Sequence, residues 1–418
     1  MTTNAQNSVR RSVGDTFPYV FYVALDGSGL NGIEGQAGVA RFGYSLDGNQ
    51  HTFSARYFEG ASGGHATSIN PDRSVGCLGT FSQQLVFYDP NTLEEIDRLS
   101  TLPFEDPDNT IHSTTHIAWL SVREFLAPIG RHMYLFHLDR LSKPERLAPH
   151  QVKIPHCLKV SPSKRFVCYG SIDSPTRGEA REVAIWDVQK GEARRIELPT
   201  TCWHLGMHPV QDRFYPVSYR VLPQDYRDYH QFAAAYFREY AYEIDAAEAR
   251  VLRHWSVSSD TPAHLNSDIT VAQNELIFGA AGSHTLVGVD LAGFAKYRII
   301  DERPSFGEQL GAVRQIIKTS YEVFQRGSGF SNSQHIFAAL RMSRFSVVDG
   351  SYATQVSKDG KLVFSAQRGL NQITVYDYPS FAIRKKVKVP SLRTFVSSKR
   401  IFSDPRLGLH HGLLLSAA

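Results

Sequence analysis

Apolar and polar positions along this chain alternate in short bursts, which predicts strands and not helical stripes. The stretch from position 156 reads HCLKVSPSKRFVCYGSID and, after an insertion, EVAIWDVQKGEARRIEL. It predicts a short strand, a polar turn, a second apolar strand, a third ending in a hydrophobic residue plus Asp, and a fourth after a tight turn. Variations on this unit begin at positions 65, 116, 264 and 352. Its hydrophobic-Asp pairs are Tyr88-Asp89, Leu138-Asp139, Trp186-Asp187, Ile244-Asp245, Val289-Asp290 and Tyr376-Asp377. The stretch WHLGMHPVQDRFYPVSYR, from position 203, fits the same frame as an inner strand, a turn and a second strand. His204 and His208 are therefore not a helical zinc pair, and no Glu follows the first His as that motif requires.

Units of roughly 40–60 residues with four short strands each predict an all-β chain folded as one β-propeller. Seven blades is the count that fits best, with six and eight as alternatives, and residues 1–418 as a single domain. FPYVFYVALDG and GVARFGYSLDGNQHTFSARYF near the N-terminus do not make a whole unit; LRTFVSSKRIF and LGLHHGLLLSAA near the C-terminus are expected to complete a blade with them. Two insertions interrupt the pattern. Residues 221–240 are rich in tyrosine, and residues 305–329 carry Leu310, Val313, Ile316 and Ile317 at near-helical spacing, predicting a short helix. Both are expected over the mouth of the channel.

Histidines recur at the starts of the predicted inner strands. His65, His116 and His156 each stand five residues before a turn residue (Asn70, Ser121, Ser161), and Tyr352 stands five before Ser357. In the fifth unit His208 takes the turn position, so the strict equivalent is Trp203, with His204 one residue late. His264 opens the sixth unit. Inner strands line the channel of a propeller, so these side chains are expected to converge. Neutral imidazoles can share a divalent metal without a charge penalty. The expected ligand set is His65, His116, His156, His204 and His264, for Mn, Fe or Zn, with His204 and Tyr352 as catalytic candidates. Against this stands the plainer reading of each residue, a hydrogen-bonded structural histidine or a core aromatic. Cys202, two residues before His204, reads more simply as a buried thiol than as a nucleophile. Arg341, Arg344 and Arg368 are candidate carboxylate or phosphate contacts.

PHCLKVSPSKRFV, VSKDGKLVFSAQ and INPDRSVGCLG resemble YVTN-type and TolB-like propeller repeats, and this resemblance implies the fold but no activity. The histidine placement resembles that of propeller lyases of the oligogalacturonate-lyase kind, which implies a histidine-held divalent metal and lyase or isomerase chemistry on a small carboxylate- or carbonyl-bearing substrate. Carotenoid-cleaving oxygenases are a second such group and imply a histidine-ligated iron oxygenase. A non-enzymatic binding scaffold is the third reading.

Composition narrows these classes. A net charge of +4 over 418 residues gives no argument for a nucleic-acid or membrane partner. No apolar run reaches about 18 residues, so no membrane-spanning helix is expected. The start, MTTNAQNSVRRSVGDTF, has no apolar core of the kind a signal peptide needs. Cys77, Cys157, Cys168 and Cys202 show no CxxC spacing and suit a reduced, cytoplasmic setting.

Overall fold

The structure is a computed structural model describing residues 17–25, 36–105, 115–172, 177–178, 180–218, 239–257, 266–280, 284–308, 310, 350–367, 372–388 and 409–416. It is a seven-bladed, all-β propeller. Blades 2 to 7 are four-stranded antiparallel sheets in chain order, with inner strands at Gly64–Ile69, Ala118–Trp119, Ile154–Val160, His204–Met207, Asn266–Ala272 and Ser351–Val356. Blade 1 joins the two ends of the chain. Its inner strand is Leu409–Ser416, paired antiparallel with Tyr19–Leu25, which is followed outward by Gly38–Ser45 and Gln50–Tyr57. LGLHHGLLLSAA thus closes the ring as expected, and LRTFVSSKRIF lies outside the described residues. One parallel bridge, His411 to Ala66, ties this closing strand to blade 2.

The middle strands read as unbroken apolar runs because both of their faces are covered. In Glu182–Asp187 every residue is buried, yet Val183 and Ile185 pack toward blade 5 while Ala184 and Trp186 pack toward blade 3. Period-two alternation sends successive side chains to opposite faces. The buried apolar side chains of the described residues form seven clusters, one in each interface between neighbouring blades. Each buried Val, Leu, Ile or Phe contributes about 1.5–3 kcal/mol. Outer strands such as Glu192–Glu197 and Ile383–Lys388 are charged and largely exposed, which protects the sheet edge from pairing with another chain.

Both recurrent polar signals are turns. The Asp after the third strand accepts backbone N–H bonds through its side chain: Asp89 from Asn91 and Thr92, Asp187 from Gln189 and Lys190, Asp290 from Ala292 and Gly293. Four residues beyond each Asp the backbone turns left-handed, at Leu93, Gly191 and Phe294. Between the first and second strands, Ser161 Oγ accepts from Phe166 N and Ser357 Oγ from Leu362 N. His208 does the same work with a ring nitrogen, Nδ1 accepting from Val210 N at 3.1 Å and Gln211 N at 2.9 Å. His208 is therefore a turn residue.

The insertions are only partly described. Residues 219–238 lie outside the described set, and Glu239 and Tyr240 of the expected 221–240 insertion instead open the third strand of blade 5. Of residues 305–329, position 305 is irregular, 306–308 and 310 are helical and the rest lie outside the described set, with Phe306 and Leu310 exposed. All four cysteines are buried free thiols. Among the described residues no helix is long and apolar enough to cross a membrane.

Glu302, between blades 6 and 7, is fully buried. Its Oε1 accepts hydrogen bonds from Ser365 and Tyr376, each at 2.7 Å, and its Oε2 has no partner among the described residues. Burial raises its carboxyl pKa, opposed by the hydrogen bonds of Tyr376, Ser365 and Gln367. The folded state therefore holds this proton more tightly than the unfolded chain does. The resulting stability is fully present below the ordinary carboxyl value of about 4.3 and is lost as pH rises through the raised one. Relative to Glu302→Gln, wild type should lose stability as pH rises from the ordinary carboxyl value through the raised one, read from denaturation midpoints; a difference independent of pH would show that the carboxyl does not titrate this way.

Candidate metal centre

Four consecutive blades bring one histidine each to the end of the channel where the inner strands begin. His65 is in the inner strand of blade 2, His116 just precedes that of blade 3, and His156 and His204 lie in those of blades 4 and 5. His65, His156 and His204 are buried and His116 is partly buried. His65 Nε2 and His156 Nε2 are 3.3 Å apart. Ring centroids are separated by 5.3 Å for His65 and His116, 4.9 Å for His65 and His156, and 4.4 Å for His116 and His156. One donor atom from each of these three lies within 4.8 Å of the other two. His204 stands outside this trio, its ring edge-on to His156 at 4.9 Å and 78°.

The ladder explains why His204 stands one residue late in the sequence. His156 pairs with Gly170 and His204 with Val217, equivalent ladder positions in blades 4 and 5. Blade 4 has a bulge between His156 and Lys159, whereas the blade 5 ladder is continuous. A bulge adds a residue, so His156 is five residues before its turn and His204 four. Trp203 is consequently not the equivalent residue, and His204 is. Cys157 sits in the blade 4 bulge at φ 53°, a left-handed conformation that costs a non-glycine residue roughly 1–2 kcal/mol.

Glycines in second strands seat the incoming segments. A Cβ on Gly79 would lie 2.1 Å from the carbonyl oxygen of Thr115, and one on Gly170 2.4 Å from that of Trp203. These are the residues immediately before His116 and His204. Blades 2 and 4 therefore leave out a side chain where the next blade's histidine enters.

The other candidates divide. Tyr352 is buried on the inner strand of blade 7, in a bulge between Ser351 and Ala353, just as His65 lies in one between Gly64 and Ala66. His264, Arg341, Arg344 and Arg368 lie outside the described residues. Cys202 is a core thiol, fully buried, with Thr200 Oγ1 3.7 Å from its sulfur. A cavity of about 230 Å³ adjoins the trio, with His116, Thr115, Lys159 and Asp268 in its wall. Of these, only His116 stood out in the sequence. Asp268 occupies a bulge of blade 6, left-handed at φ 41° like Cys157.

No family model and no curated protein matches the chain. Among solved structures it is similar to hydrazine synthase of Kuenenia stuttgartiensis, with a TM-score of 0.51 at 11% identity, covering 77% of this chain and 80% of that one. A likeness at that identity shows the propeller fold alone. No sequence match supports the YVTN, TolB or lyase resemblances.

Gly79→Ala should push the Thr115–His116 segment off its seat and destabilise the fold by about 1–3 kcal/mol, the usual range for overpacking. Gly307→Ala, with nothing within 4 Å of the new Cβ, should not destabilise the fold. Chemical denaturation of both variants checks this, and equal midpoints would refute the seating role.

Proposed function

We propose that the protein is a metal-dependent enzyme whose divalent ion, Mn, Fe or Zn, is held by His65, His116 and His156. The observation that carries this reading is the convergence of three imidazole donors from three consecutive blades to within 4.8 Å. Two nitrogens each about 2.1 Å from one tetrahedral ion are about 3.4 Å apart, and the His65–His156 spacing is 3.3 Å. The His116 donor lies within 4.8 Å of both and completes the set. An all-imidazole set is borderline in softness, which suits these metals and not Ca²⁺ or Mg²⁺. Three protein ligands leave a coordination position for water or substrate.

Such an ion would polarise a carbonyl or carboxylate oxygen and acidify the adjacent C–H. The reaction class that follows is lyase or isomerase chemistry on a small carboxylate- or carbonyl-bearing substrate. His204, beside His156, and Tyr352 are the candidates for moving the proton. A phenol or a second imidazole is suited to that role because either can hold and release a proton near a cation.

Elemental analysis of the purified protein should find about one equivalent of a divalent transition metal per chain, removable by chelation together with activity. His156→Ala should lose that metal. His204→Ala should weaken metal binding by only about tenfold, as expected for a residue that orients a ligand, and His208→Ala should leave it unchanged. Equal metal content in wild type and His156→Ala would overturn the assignment.

A further inference from the structure

The strand that closes the ring carries a histidine pair, His410–His411, near its start. Its place follows from the backbone. His411 pairs in parallel with Ala66, the residue after His65, so His410 stands level with His65. Neighbouring strands lie about 4.8 Å apart. Blades 1 and 2 meet closely at this level: a Cβ on Gly64 would lie 2.2 Å from the carbonyl oxygen of Leu25, the ladder partner of Leu409. The antiparallel ladder marks the same place independently. Between Leu409 and Gly412 two residues, His410 and His411, oppose the single residue Ala24. In blade 2 the extra residue of the bulge between Gly64 and Ala66 is His65 of the trio. In blade 7 the extra residue between Ser351 and Ala353 is Tyr352. Blade 1 stands between these two in the ring, and its bulge is filled by histidine. Bulges are over-represented next to active sites.

We infer that blade 1 belongs to the metal centre through the His410–His411 pair, as a fourth source of imidazole beside His65. The inference rests on the metal-centre reading and carries it across the seam of the ring. The trio draws on blades 2, 3 and 4 alone. With blade 1 included, one ion ties the last strand of the chain to segments more than 250 residues earlier. An ion that binds only the closed ring stabilises the closed ring. The coupling is reciprocal, so a seated closing strand tightens the metal and the metal holds the strand.

The test follows Zn²⁺ binding by the full chain in competition with a chromophoric chelator. The double variant His410→Gln, His411→Gln should bind Zn²⁺ at least tenfold more weakly than wild type, since even a residue that only orients a ligand is worth about that much. Its metal-free melting temperature should equal that of metal-free wild type, which separates a lost ligand from a damaged seam. A loss smaller than tenfold would overturn the inference. Should the double variant not fold, wild type alone decides. Chelation should speed backbone hydrogen exchange in residues 409–416 by at least tenfold, and an unchanged rate would overturn the inference as well. His156→Ala tells this failure from that of the reading beneath it. If His156→Ala loses Zn²⁺ and the double variant keeps it, blade 1 is no part of the centre and the trio stands. If both keep it, the metal centre itself falls.

Discussion

Everything in this molecule depends on one strand from the far end of the chain lying beside the first. Residues 409–416 pair with Tyr19–Leu25 on one side and touch the inner strand of blade 2 on the other. Without that strand, blade 1 has no inner edge and the ring is an open arc with exposed backbone groups. With it, each interface is packed from both sides, and the inner strands are held at a fixed radius. The convergence of the histidines follows from that radius. No single blade could place three imidazoles together; a closed ring does so for residues that are 91 positions apart, as His65 and His156 are.

Most of the architecture was legible because its signals are local. An Asp after an apolar run accepts backbone bonds in a tight turn wherever it occurs, and the run itself is apolar because both faces are covered. These features recur, so blade count and strand order could be read from the chain. The recurrence of His65, His116 and His156 was legible for the same reason. The alignment of Trp203 in place of His204 failed because it assumed inner strands of equal length. A bulge is a backbone event with no residue signature here: Cys157 and Asp268 both adopt left-handed conformations, and neither is glycine or asparagine. The cavity wall was hidden for a related reason. Lys159 reads as an ordinary polar strand residue, and Asp268 belongs to the unit whose turn was hardest to align.

Burial and chemistry are divided along the radius. Apolar clusters between blades supply stability, and charged outer strands protect the rim. The inner strands, backed by the sheets behind them, carry histidine, lysine and aspartate in partly or fully buried places. Their bulges re-aim side chains at the channel with little change to the sheet, since the second and third strands of blades 2, 4, 6 and 7 pair without a register shift.

The missing side chains at Gly79 and Gly170 make the blades unequal partners. The His116 and His204 segments each rest on a void belonging to the blade before them, so these blades depend on their neighbours for part of their seat. The repeats therefore cannot be shuffled as interchangeable modules. A blade moved elsewhere in the ring would arrive without the hollow that admits it, and divergence at one site is tied to divergence one blade upstream.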